Sequence, residues 1–158
     1  MPPQLNGAAC KDHALPRTRS ERPLKRILVV SDRHIDFDFF RNELERQPPD
    51  DLEVFVLYPV REGAIRGLLW GRRFWRARHA ELDHVLDALA DMGVVSDGLA
   101  TAESPNESVG HALDAFRPQE VLIVRTRRVR HHEESLRGTL AAHTRDTGHP
   151  IKTSWLPT

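Results

Sequence analysis

The sequence is poor in features that would name a chemistry at once. One cysteine among 158 residues, Cys10, excludes an intrachain disulfide framework and a cysteine-rich zinc module. No apolar run approaches the roughly 18 residues of a membrane-spanning helix, and residues 1–20 lack the apolar stretch of a signal peptide. A soluble cytoplasmic protein is the expectation. There is no GxxxxGK[ST] loop and no GxGxxG after the first strand, so neither a P-loop NTPase nor a standard dinucleotide binder is supported. No HExxH spacing exists, and His131-His132-Glu133 reads as a solvated helix start because adjacent helical residues point in different directions. No Ser, His and Asp set has the spacing of a catalytic triad. The 23 Lys+Arg balance the 23 Asp+Glu, which gives no overall pull toward nucleic acid or membrane.

That balance is a sum of unlike parts. Residues 61–79 hold six Arg and one Glu, and residues 125–145 hold six Arg and two Glu. Residues 81–120 hold nine acids and a single Arg, Arg117. Neutrality therefore hides two basic blocks around an acidic one.

Residues 1–23 carry Pro2, Pro3, Pro16 and Pro23 among polar residues without apolar periodicity, which predicts a disordered leader. One domain is expected over 24–158. Ile27 to Val30 is an unbroken apolar run, the pattern of a parallel strand buried on both faces. Phe37, Phe40 and Leu44 recur at helical spacing until Pro48 and Pro49, and Val54 to Leu57 forms a second apolar run. Leu82, Val85, Leu86 and Leu89 form the stripe of a helix over 78–92, with Gly93 as its terminator. Residues 94–100 are a weaker strand candidate, broken by Asp97 and Gly98. Ser104-Pro105 reads as an N-cap and first turn leading into Val109, Ala112, Leu113 and Phe116, and Pro118 closes that helix. Residues 121–124 are a strand, 133–145 a helix ended by Gly148 and Pro150, and 151–156 a final strand. The order β-α-β-α-β-α-β-α-β predicts an α/β fold: a doubly wound five-stranded parallel sheet with helices on both faces. Its ligands sit beyond the strands' carboxyl ends where the strand order reverses.

Two stretches follow such ends. The first strand runs out in Ser31-Asp32-Arg33, where Asp32 either caps the turn or accepts hydrogen bonds from a ribose or base. The fourth leads into Arg125-Thr126-Arg127-Arg128, then nine residues, then Gly138-Thr139. Here the chain resembles the universal stress protein family, whose ATP-binding members carry Gly-x-x-Gly, nine residues, then Gly-Ser or Gly-Thr opening toward the last helix. The spacing is the same, with Arg125 and Arg128 in the two glycine positions. The resemblance covers residues 24–156, with Asp32 at the family's first-strand acidic position and His149-Pro150-Ile151 before the last strand. It implies ligand-binding roles for Asp32 on the ribose or base side, Val54 at the base wall, Arg125 and Arg128 at the former glycines, and Gly138 and Thr139 at phosphate. It also implies a homodimer formed through the last strand.

The two arginines change the expected chemistry. Glycines in such a loop let backbone N–H groups approach phosphate and permit φ > 0, which Arg does only at a cost. Arginines at 125, 127, 128 and 130 nevertheless supply charge for an anion. The sequence thus predicts a non-enzymatic binding or regulatory module in stress response, with a degenerate nucleotide site, no ATP cofactor, no metal and room for another anionic small-molecule ligand. A degenerate receiver-like signalling domain is the alternative, since Arg26-Ile27-Leu28-Val29-Val30-Ser31-Asp32 also suits a receiver's opening. No phospho-acceptor Asp falls at the third strand's end, however, and Lys152 begins its strand. The ATP pyrophosphatase branch of the same wider group would need an SGGxDS loop, which Ser31-Asp32-Arg33-His34 is not. In the other basic block, residues 65–76 interleave Trp70, Phe74 and Trp75 with arginine. Local packing or a dimer contact is expected there, ahead of a lid, nucleic acid or membrane.

Overall fold

A computed structural model describes residues 23–157 apart from 32–33, 36, 47, 60–67 and 126–129. The predicted leader, except Pro23, lies outside the described residues. Strand β1 (Lys25–Ser31) takes the centre of one sheet because its apolar run can be buried on both faces: Ile27, Leu28, Val29 and Val30 are all almost wholly covered. It pairs in parallel with β2 (Leu52–Pro59) on one side and β4 (Glu120–Arg125) on the other. Strands β3 (Val95–Thr101) and β5 (Lys152–Pro157) form the edges, also parallel, which gives the order β3-β2-β1-β4-β5.

Side chains alternate across each strand, and the two faces collect different helices. Ile27, Val29, Val54 and Val56 pack with Leu44 of α1 (Phe37–Leu44) and with Leu82, Val85 and Leu89 of α2 (Leu68–Asp91). Leu28, Val30, Leu57 and Ile123 pack with Val109 and Leu113 of α3 (Pro105–Phe116) and with Leu136 and Leu140 of α4 (Arg130–Thr147). The sheet is doubly wound, as the sequence predicts. Its order differs from the β2-β1-β3-β4-β5 arrangement of receiver-type folds, so the alternative receiver reading loses its topology.

Local chemistry sets the boundaries. Ser104 caps α3 by accepting from the Glu107 N–H, and the Glu107 carboxylate accepts from the Ser104 N–H, a reciprocal capping box followed by Pro105 at N1. Gly93 ends α2 with φ 77°, a left-handed conformation cheap only for glycine.

Two elements depart from the sequence reading. Strand β3 is continuous through Asp97 and Gly98, and the glycine that looked like a break serves packing. A Cβ at Gly98 would lie 2.6 Å from Leu82 Cδ1 and 2.8 Å from the Val56 carbonyl oxygen. Its absence lets α2 lie directly on the sheet. Helix α2 itself starts at Leu68, ten residues before the predicted start of 78. The stripe of Leu82, Val85 and Leu89 marks the part seated squarely on the sheet, and Trp75, two turns earlier, also packs against that core. From Leu82, seated over mid-β3, back to Leu68 the helix rises about 21 Å, while Gly98 to Thr101 extends only about 10 Å. The first turns of α2 therefore pass beyond the strands' carboxyl ends. Among the described residues no helix is long and apolar enough to cross a membrane.

The opposite, amino-terminal edge is pinned by charge. Glu120, at the start of β4, is 4% exposed and lies 2.6 Å from Lys25 Nζ and 3.0 Å from Lys152 Nζ, which ties three strand starts together. Arg26 donates through Nε to Glu53 Oε2 at 2.8 Å and through Nη1 to the Phe116 carbonyl at 3.2 Å, fastening α3 to β1 and β2.

Candidate functional site at the carboxyl edge

The strand order reverses between β1 and β4, so the crevice beyond their carboxyl ends is the expected ligand position. Its floor is the last register pair, Ser31 opposite Val124, both buried. Asp32 and Arg128 lie outside the described residues. Arg125 closes β4 beside Pro157 of β5, and only its backbone is described.

The remaining expected residues do not meet at this crevice. Val54 is 1% exposed and pairs with Ile27 and Ser96, level with a point four residues, or about 13 Å, before Ser31. It belongs to the core beneath α2. It also lines a groove of about 400 Å³ at the other end of the sheet, with Phe55, Val95, Ala112 and Phe116. Gly138 and Thr139 lie in the interior of α4, and the Thr139 hydroxyl donates to the Ser135 carbonyl one turn back, at 3.2 Å.

The structure adds a cluster that the sequence reading did not single out. Tyr58, near the end of β2, is 1% exposed, and its hydroxyl lies close to the Ile35 backbone. Burial, reinforced by the nearby Glu81 carboxylate, pushes its pKa up to about 12, although the Arg78 guanidinium works the other way. The Arg78 guanidinium lies 5.9 Å from the Tyr58 ring centroid and 5.2 Å from that of Phe74, and its Nη1 is 2.8 Å from Glu81 Oε2. The i,i+3 spacing of Arg78 and Glu81 was a readable signal for the ion pair. Nothing in the spacing tied it to Tyr58. Among the described residues no three His, Cys, Asp or Glu side chains group to hold a metal ion.

This topology has solved counterparts. The chain is similar to a universal stress protein from Archaeoglobus fulgidus, with a TM-score of 0.50 at 12% identity over 83% of this chain and 93% of that one. The fold is universal stress protein-like. A universal stress protein family protein from Arabidopsis thaliana, solved with AMP bound, is similar at a TM-score of 0.48 and 13% identity over 84% of this chain and 90% of that one. No protein-family model and no curated protein matches the chain.

Against the universal stress protein-like pattern, the start of α4 is the main local departure. The resemblance puts Gly138-Thr139 at the opening toward the last helix, whereas α4 opens at Arg130, eight residues earlier. Residues 130–137 contain neither Gly nor Pro, and Glu133 pairs with Arg137 at i,i+4 with a 2.6 Å contact. That stretch has the composition of a helix and none of a phosphate loop's conformational freedom. Gly138 is exposed, and a Cβ there would meet nothing within 4 Å.

Proposed function

We propose that this protein is a cytoplasmic, universal stress protein-like binding or regulatory module in stress response, without enzymatic activity, whose nucleotide site is degenerate. One observation carries the reading. Helix α4 begins at Arg130, so the segment that would loop around phosphate is already helical and Gly138-Thr139 stand two turns inside it. Arginine at 125 and 128, where the family pattern has glycine, works in the same direction, because bulky side chains obstruct close backbone approach to phosphate. The arginines at 125, 127, 128 and 130 still favour an anion, and a small anionic ligand other than ATP is the class that fits this edge.

A thermal-shift series with ATP and other small anions tests this on wild type and Arg128→Gly. ATP should leave the wild-type midpoint unmoved. A ligand at 100 times its Kd adds about 2.7 kcal/mol of stability, so a retained ATP site would produce a shift of several degrees and refute the reading. Since the helical start of α4 persists in the variant, Arg128→Gly alone should not create an ATP response.

A further inference from the structure

We propose that the outer face of the first half of α2 docks the phosphate backbone of nucleic acid. Arg72, Arg73 and Arg76 are exposed, and none of them forms an ion pair among the described residues. Spacings of i,i+3 and i,i+4 put the three guanidinium groups on one side of the helix. Ala77, His79 and Ala80 continue the exposed side, and its first acid is Asp83. Arg78 is different: it is mostly covered and engaged with Glu81, Phe74 and Tyr58, which fixes the helix and leaves the outer face to the other three.

The placement runs against local helix energetics. The first turn of α2 has no acidic residue, although the helix dipole favours acids there, and Arg72 and Arg76 repel at i,i+4. A polyanion relieves both penalties. The face is also accessible, because all three arginines are exposed and Arg72 and Arg73 stand beyond the ends of the strands.

Charge density and apolar burial select the partner. Arg72 to Arg76 rise about 6 Å along the helix. Duplex nucleic acid offers one phosphate per about 1.7 Å of its axis, so all three guanidiniums find phosphates at once. An extended acidic peptide presents a carboxylate to one side only every 7 Å or so. Membrane binding would need exposed apolar anchors. Among the described side chains of this half of α2, Trp75 is partly buried against the core and Phe74 is half-buried against Arg78, so neither is free to serve as an anchor. This surface is separate from the β1/β4 crevice, and the proposal does not depend on that site's state.

Fluorescence anisotropy with a short labelled DNA duplex, measured on the full chain across a salt series, is the test. Three phosphate contacts give a slope of log K against log salt near −2.7, or about a 40-fold weakening for a fourfold rise in salt. Arg72→Gln/Arg73→Gln/Arg76→Gln should lose this binding with its helical circular dichroism unchanged, since glutamine keeps helix propensity. Undiminished binding by that variant overturns the proposal, as does no binding by wild type at low salt. Capture by anionic phospholipid vesicles or polyglutamate as strong as by the duplex at equal charge also overturns it.

Discussion

Tyr58 is the only tyrosine in the chain, so its ionisation can be followed without interference. Its pKa is raised from an ordinary 10.0 to about 12 in the folded protein, chiefly by burial. The neutral phenol is therefore favoured by folding. Stability from this group is intact below pH 10 and is lost as pH rises through about 12, because the unfolded chain releases the proton first. In an ultraviolet titration, the phenolate midpoint should fall near 12 where circular dichroism still reports the fold, with little phenolate at pH 10. A midpoint near 10 with the fold intact would contradict the burial of Tyr58. Glu120 has the opposite sign. Burial alone would raise its pKa, but hydrogen bonds from Lys25 and then Lys152 outweigh that and hold the carboxyl below its ordinary value. Its contribution is present above the unfolded carboxylate range and is lost as pH falls through the folded value. Glu120→Gln should cost about 1 kcal/mol at neutral pH, the lysines being partly solvated, and lower the melting temperature by about 2–4 °C. In acid the two proteins should converge, and a deficit that persists unchanged there would mean the ion pairs are not its cause.

At the scale of elements, what was legible in the sequence followed burial. Ile27 to Val30 read as a central strand because both faces are covered, and Ser104-Pro105 read as a helix start because the cap and the proline act locally. The early turns of α2 were not legible, since Gly71 and the arginines at 72, 73 and 76 interrupt the apolar pattern, although Trp75, seven residues before Leu82, also packs against the core. Continuity of β3 was hidden for a related reason: Gly98 weakens a strand by local propensity, and only the seat of Leu82 shows why it is tolerated. At the candidate site, Arg125 fell at the end of β4 as expected, while Val54 lies well below the carboxyl edge because no spaced motif fixed its register. For α4 the family spacing and the helical composition disagreed, and composition prevailed. Gly138→Ala tests that placement. In an exposed helix interior with free space around the added methyl group, alanine should stabilise by about 1 kcal/mol and raise the melting temperature by roughly 2–4 °C. Destabilisation would mean that Gly138 sits in a loop.

Across the described residues, charge separates into a pinned amino edge and a group of exposed arginines on the first half of α2. Glu120 and Glu53 tie strand starts to Lys25, Lys152 and Arg26 at one end. At the other, Arg72 and Arg73 stand beyond the strand ends on α2, with Arg76 about level with them. An anion-binding module needs no overall positive charge under this arrangement. Strand β5 leaves an open edge, and a second copy pairing there would make the homodimer that the family resemblance implies. Light scattering should give a dimer mass, and a monomer at high protein concentration would contradict it. The central claim is the proposed degeneracy of the nucleotide site, argued from the start of the last helix at Arg130. Isothermal titration of ATP into the full-length chain measures that directly. The expected result is no saturable heat with ATP at micromolar concentrations, and a saturable isotherm with a micromolar Kd would contradict it.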